Sequence, residues 1–309
     1  MTWRAEEHSH EQRLILRRDP PSSLIDTERE LEYRAYEAIW GTAVPVPRPI
    51  ALETDPKWLA RPFSLMQAID GCASSPALLL EQPYVQHRER LGARKWQILG
   101  ELAKLDPFEL GFDRYSDPPT AEGCARRELS YWERVIDEDE LQPQPIARAA
   151  LRWLRRNLPE APPKLAVVHG DYRSGNFLFD ADGEIRAVLD WEMAHIGDPL
   201  EDLAWSLDPL WSWPDRRLAG NLLPREDAIR HWERASGMTV DRRSFRWWQI
   251  FASVKAIGIW ISSCRDYVDS ATKEPIIAMA GWMMVDRQNR ILVDRLAPES
   301  SHEWADPVV

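Results

Sequence analysis

A β-hairpin is the strongest local prediction in this sequence, and it constrains the fold around it. Two apolar segments, residues 177–179 and 185–189, flank Asp182-Gly183, a dipeptide typical of tight hairpin turns. Folding the chain at that dipeptide places Asn176 opposite Leu189 and diagonal to Asp190. The sequence therefore predicts that an amide and a carboxylate meet at the open end of one hairpin.

A polar loop precedes the hairpin and follows a short apolar strand that ends at Val168. Its sequence, HGDYRSGN at residues 169–176, is rich in turn formers. Loops held between buried strands often carry functional groups, whereas in an ordinary turn Asp171 and Asn176 would bond only their own backbone. With Asp190 alongside, three oxygen donors converge, and such donors suit Mg²⁺.

The residue types at this position match the requirements of phosphoryl transfer. That reaction needs a carboxylate to accept the proton of the attacking hydroxyl, metal ligands, and a cation for the transferring group. Asp171 is the candidate base, Asn176 and Asp190 are the candidate metal ligands, and Arg173 is the nearest cation. By itself, an arginine such as Arg173 would more often be a solvated loop residue.

The motif His169-Gly170-Asp171 with Asn176 resembles the aminoglycoside phosphotransferase and choline kinase family. Two further segments extend the resemblance, LDWE at residues 189–192 and GDPLEDLAW at residues 197–205. The second segment is especially similar to a branch with relatives fused to acyl-CoA dehydrogenases. The resemblance implies an α+β, protein-kinase-like fold with two lobes. Residues 1–69 would form a small sheet-plus-helix nucleotide lobe, and residues 70–309 a larger, mainly helical catalytic and substrate lobe.

The same resemblance implies an enzyme, a small-molecule kinase that uses ATP and Mg²⁺ to phosphorylate a hydroxyl group. Arg17 would bind phosphate with Glu32 as its ion-pair partner, and Arg173 stands where protein kinases carry a phosphate-contacting lysine. His169 would brace the loop, while Asp198 and Asp202 would hold it and cap a helix. The segment that would bond adenine through its backbone is Met66, Gln67, Ala68 and Ile69.

One departure from the kinase pattern concerns the phosphates. Kinase-like folds cover them with a glycine-containing hairpin before the strand that ends here at Arg17, yet the first glycine is Gly41. The sequence therefore predicts a reduced or missing hairpin, an apparently truncated nucleotide lobe and weak ATP affinity. This leaves a second hypothesis open, a kinase-like nucleotide- or ligand-binding protein with little or no turnover. A third is a metallohydrolase that uses His169, Asp171, Asp190 and His195.

Composition limits the classes of partner that the protein is expected to bind. A net charge of −11 argues against binding to nucleic acid or an anionic membrane, and no stretch approaches twenty apolar residues. With three widely spaced cysteines and no secretory signal, we expect a cytoplasmic protein. The acceptor would lie beside the tryptophan-rich helices after residue 200, near Asp208, Asp215 and Asp266. Cationic acceptors and hydroxyacyl compounds both remain open.

The remaining elements follow from periodicity and capping signals. Strands are predicted near residues 13–17, 50–53 and 63–69, and a Thr27–Glu30 capping box opens a helix to about Trp40. Most of the 16 tryptophans are expected in helix-packing core. Further helices are predicted near residues 82–105, 121–136, 146–158, 200–207, 225–235, 244–267 and 276–296.

Overall fold

The computed structural model describes residues 12–18 and 29–297, except for the side chain of Ala280. Its first part is a three-stranded antiparallel sheet in which the strand last in sequence lies in the centre. The strands are β1 (Leu14–Arg18), β2 (Pro49–Glu53) and β3 (Phe63–Gln67), and helix α1 (Arg29–Ile39) packs against the sheet. The predicted strands are present, whereas Thr27 of the capping box lies outside the described residues.

The predicted hairpin forms, with a loop one residue longer than expected. Strand β6 (Phe177–Asp180) pairs with β7 (Ile185–Val188), and the short strand β4 (Cys72–Ala73) pairs with the outer side of β6. Asp180 and Glu184 close a loop of residues 181–183, because the Asp180 N–H donates to the Glu184 carbonyl at 3.0 Å. Gly183 takes the left-handed conformation that this turn requires, with φ +80°.

The register at the open end of the hairpin is as predicted. Phe177 pairs with Val188, and the Leu189 N–H donates to the Asn176 carbonyl at 2.7 Å. A second antiparallel pair, β5 (Ala166–Val168) with β8 (His195–Gly197), lies on the other side of the polar loop. The loop at 169–176 is thus fixed by β5 at its start and by β6 at its end.

The rest of the described chain is mainly helical. Helix α2 starts at Arg88 rather than near Gln82, because a 3₁₀ turn occupies Tyr84–His87. Helix α7 is long and mostly buried, and it packs against α3, α4, α5 and α8. The helices are α2 (Arg88–Leu102), α3 (Cys124–Asp139), α4 (Pro145–Arg156), α5 (Leu200–Ser206), α6 (Arg225–Ser236), α7 (Arg242–Val268) and α8 (Pro275–Leu296), with strands β9 (Leu218–Ala219) and β10 (Leu223–Pro224) before α6.

Tryptophans fill the helical core, as predicted. Six are at most 2% exposed, and Trp247 and Trp248 pack edge to face with their ring centroids 4.8 Å apart. The six are Trp96, Trp191, Trp205, Trp232, Trp247 and Trp248. In the described ranges, no helix combines the length and apolar character needed to cross a membrane. The division of the chain between residues 69 and 70 stays a prediction.

Candidate active site

The backbone of the polar loop is held by a buried carboxylate. Asp202, in the first turn of α5, accepts hydrogen bonds from the N–H groups of His169 and Gly170 at 2.6 and 2.9 Å. Gly170 has φ +86°, and a Cβ there would lie 2.5 Å from the carbonyl oxygen of Met193. Only glycine fits this position, and Asp202 holds the loop as expected.

His169 joins the loop to the hairpin. Its Nδ1 accepts the Asp171 N–H at 3.1 Å, so its Nε2 carries the proton and donates to the Leu189 carbonyl at 2.9 Å. His195 likewise uses both ring nitrogens, one toward the Met193 carbonyl and one toward Glu201. Neither imidazole has a nitrogen free for a metal in this arrangement, which argues against the metallohydrolase hypothesis.

The Asp171 carboxylate is fixed from three directions. Its Oδ1 accepts the indole N–H of Trp205 at 2.9 Å, and its Oδ2 accepts the Asn176 amide at 2.8 Å and Arg173 Nε at 2.9 Å. The side chain is 15% exposed, so one edge faces solvent. Trp205 was not singled out from the sequence, although it directly follows the Asp202-Leu203-Ala204 motif. Its contact defines the orientation of the candidate base.

Arg17, near the end of β1, links the residues that the sequence predicts to contact the nucleotide. Its guanidinium pairs with Glu32 on α1 and, through Nη2, with Asp190 Oδ1 at 2.7 Å. Glu32 also pairs with Arg29, which the sequence analysis did not identify. Burial raises the pKa of Glu32 to about 7, although both arginines act in the opposite direction. Burial lowers the pKa of Arg17, but Glu32 and Asp190 outweigh it and the pKa is raised.

Asp190 stands at the end of the hairpin in a left-handed conformation, with φ 69° and ψ 57°. Its N–H donates to the Tyr36 hydroxyl at 2.9 Å, which anchors the hairpin end to α1. Glu192 lies 3.4 Å from the same Arg17 Nη2, and burial raises its pKa. The structure thus brings Arg17, Glu32 and Asp190 together, with Tyr36 and Glu192 as additional members.

The expected adenine segment continues from β3. The N–H of Gln67 donates to the Arg48 carbonyl at 2.9 Å, and that of Ala68 donates to the Arg13 carbonyl at 3.0 Å. A nucleotide base would therefore have to use other backbone groups between Met66 and Ile69. The role of residues 66–69 in binding adenine stays a prediction.

Aromatic and basic groups lie around Asp171 on the side of the loop where the sequence predicts the acceptor. The rings of Trp205 and Trp211 are 5.2 Å apart, and the Arg173 guanidinium carbon lies 5.5 Å from the Trp211 ring centroid. The nearby carboxylates Asp208 and Asp215 are already paired with Arg295 and Arg217 respectively. Among the described residues, the third expected carboxylate, Asp266, forms no ion pair, and only other carboxylates lie near it. Cationic and hydroxyacyl acceptors therefore both remain open.

Comparison with known proteins identifies the family. A family model described as the phosphotransferase enzyme family, APH, matches residues 2–238. The chain belongs to this family. It is 31% identical over 209 residues to acyl-CoA dehydrogenase family member 11 of Gallus gallus, across 66% of this chain and 26% of that protein. The chain thus spans about a quarter of the length of the curated relatives it matches.

Solved structures agree with the predicted fold. A candidate aminoglycoside phosphotransferase from Ralstonia eutropha JMP134 superimposes with a TM-score of 0.73 at 22% identity, covering 92% of this chain and 87% of that one. A choline/ethanolamine kinase family protein from Mesorhizobium loti gives 0.59 at 17% identity, covering 93% and 84%. The phosphotransferase APH(2")-IIIa, solved with GDP and kanamycin, gives 0.59 at 12%, covering 84% and 82%. The α+β, kinase-like fold of the APH family is therefore confirmed.

Proposed function

We propose that this member of the phosphotransferase family uses ATP and Mg²⁺ to phosphorylate a hydroxyl group of a small molecule. The observation that carries the proposal is the Asp171 carboxylate, oriented by Trp205 and Asn176 at the solvent edge of the loop. A carboxylate in a fixed position can accept the proton of an attacking hydroxyl.

The candidate metal ligands fit a magnesium ion. Asn176 donates its amide N–H groups to Asp171, and Asp190 gives Oδ1 to Arg17. Among the described residues, Asn176 Oδ1 and Asp190 Oδ2 make no hydrogen bond, so each side chain has an oxygen available to a hard cation. Asn176 and Asp190 would hold the ion, which would supply positive charge to neutralise the phosphates.

The two arginines have separate roles in this proposal. Arg17 is oriented by Glu32 and supplies positive charge where the nucleotide phosphates would lie. Arg173 is bonded to Asp171, and a carboxylate offers only about four acceptor positions. The acceptor hydroxyl therefore has to replace at least one Arg173 contact, after which Arg173 can neutralise the transferring group.

A ligand screen followed by a transfer assay tests the proposal. Hydroxylated metabolites would be screened by thermal shift with Mg²⁺ and a non-hydrolysable ATP analogue. For each hit, release of ADP from ATP and of GDP from GTP would then be measured. We expect Mg²⁺-dependent ADP release that tracks the amount of phosphorylated hit. Binding of Mg·ATP with no transfer to any hit would favour the nucleotide-binding alternative.

The predicted loss of the glycine-containing hairpin falls on residues 1–11, outside the described residues. The weak ATP affinity inferred from it stays a prediction, and isothermal titration calorimetry with Mg·ATP would measure it.

A further inference from the structure

Four ionisable side chains from four elements meet beneath the polar loop. They are Glu128 of α3, His195 of β8, Glu201 of α5 and Lys255 of α7, and we refer to them as the ion quartet. Glu201 and Lys255 are 2% and 1% exposed, and the other two side chains are 14% and 16% exposed. Burial of this much charge is costly unless every member is paired.

Ion pairs join the four members of the quartet in a chain. Lys255 Nζ lies 3.0 Å from Glu201 Oε1, and His195 Nε2 lies 3.2 Å from Glu201 Oε2 and 3.8 Å from Glu128 Oε1. His195 Nδ1 is 3.0 Å from the Met193 carbonyl, which can only accept a hydrogen bond. Both ring nitrogens therefore donate, and the ring is an imidazolium. Burial lowers the pKa of His195, but Glu128 and Glu201 outweigh it and raise the pKa to about 9.

The hydrogen bonds of His195 favour a proton over a metal ion at this position. The three groups Glu128, His195 and Glu201 bring ligand atoms within 4.8 Å of one another, a spacing that a metal could use. However, a metal would have to displace the proton that His195 Nε2 directs toward Glu201 Oε2 at 3.2 Å. Burial raises the pKa of Glu128, although His195 and Lys255 act in the opposite direction, and Asp202 adds a further carboxylate near Lys255.

Lys255 connects the ion quartet to the candidate base. Its ammonium donates to the Gly170 carbonyl at 2.7 Å, while Asp202 holds the N–H of the same glycine. It also lies 5.1 Å from the ring centroid of Trp205, whose N–H orients the Asp171 carboxylate. Lys255 thus contacts both the peptide that precedes Asp171 and the side chain that orients its carboxylate.

We propose that Lys255 is a positioning residue for phosphoryl transfer, fixing the Gly170 carbonyl and thereby the Asp171 carboxylate, with the rest of the quartet keeping its charge neutralised. The role in transfer rests on the proposed function, whereas the structural contact can be tested without it. Because Glu201 partners Lys255, removing both charges separates charge balance from the contact with Gly170.

The experiment compares the wild-type chain with Lys255→Met and with the double variant Lys255→Met/Glu201→Gln, each with and without Mg·ATP. Melting temperature reports charge balance, and hydrogen exchange of the peptide covering residues 168–176 reports the loop. We expect Lys255→Met to lower the melting temperature and accelerate loop exchange by about tenfold or more. The double variant should recover most of the melting temperature while its loop exchange stays fast.

Turnover adds a second readout once an acceptor is found. The double variant should lose about tenfold or more in kcat with little change in the KM for Mg·ATP, because the base and not the nucleotide site is displaced.

If the double variant regains wild-type loop exchange, Lys255 only balances charge and the proposal is wrong. A stoichiometric transition metal in protein purified without added metal would also overturn it. Altered loop exchange without any transfer activity would refute the proposed function and leave the structural contact standing.

Discussion

At the scale of single residues, the backbone conformation of Asp190 limits which side chains can replace it in a test of its chemistry. Its left-handed conformation suits aspartate and asparagine far better than alanine, so Asp190→Asn removes the charge while tolerating the backbone. We expect Asp190→Asn to lose Mg²⁺-dependent ATP binding, because it deletes the charged member of the metal pair. Asn176→Ala should weaken that binding less, because it removes an uncharged oxygen ligand.

Titration calorimetry with ATP, with and without Mg²⁺, measures this effect. Glu192→Gln is the matched control, since it removes another carboxylate beside Arg17 that is not assigned to the metal. Unchanged Mg²⁺-dependent binding by Asp190→Asn would refute the assigned role of Asp190.

Local spacing was sufficient to predict some of the candidate site. Asp171, Asn176 and Asp190 could be placed together because one loop and one hairpin connect them within twenty residues, and the structure confirms that register. Trp205 and Lys255 contact the same loop from 34 and 85 residues away. Such contacts depend on how helices pack, and a single sequence carries no local signal for them.

At the scale of elements, the contact between α2 and α6 depends on Gly100. A Cβ there would lie 2.6 Å from the Ala235 Cβ and 2.8 Å from the Trp232 carbonyl oxygen. Alanine is the better helix former by about 1 kcal/mol, but overpacking against backbone atoms, which cannot move aside, costs the upper part of the usual range, about 2–3 kcal/mol. We expect Gly100→Ala to destabilise the protein by about 1–2 kcal/mol.

Urea unfolding would measure this cost. Gln97→Ala on the half-exposed part of the same helix serves as the control and should stay within about 0.5 kcal/mol of wild type. A Gly100→Ala variant as stable as Gln97→Ala would show that α2 and α6 can move apart to accommodate the added methyl group without a loss of stability.

Element boundaries were less predictable than element types. The apolar periodicity of residues 82–105 indicated one helix, yet the chain forms a 3₁₀ turn before α2 begins at Arg88. The Asp182-Gly183 signal located the turn but not its length, because the side chain of Asp180 accepts the N–H groups of Asp182 and Glu184 and stabilises a longer loop. Side-chain bonds of this kind fix boundaries that periodicity leaves undetermined.

At the scale of the whole molecule, the ion quartet should make stability depend on pH. The folded-state pKa of His195, about 9, is above its usual value of 6.5. Its contribution is therefore fully present below about pH 6.5 and is lost as the pH rises through about 9. A shift of this size corresponds to about 3 kcal/mol.

Urea unfolding of wild type and His195→Gln at pH 6.5 and pH 9.5 would test this prediction. The stability difference between the two proteins should be larger at pH 6.5 and should shrink at pH 9.5. A difference that does not change with pH would show that His195 is neutral in the folded protein.

The chain belongs to the phosphotransferase family, and the central claim of our proposal is that its transfer site is the loop that carries Asp171. The most direct measurement of the central claim is phosphoryl transfer from Mg·ATP to the best hydroxylated acceptor by wild type and Asp171→Asn. We predict that Asp171→Asn keeps its affinity for Mg·ATP and loses on the order of 10²-fold or more in transfer rate, because the metal ligands remain and the base is gone. Transfer by Asp171→Asn at the wild-type rate would contradict the account.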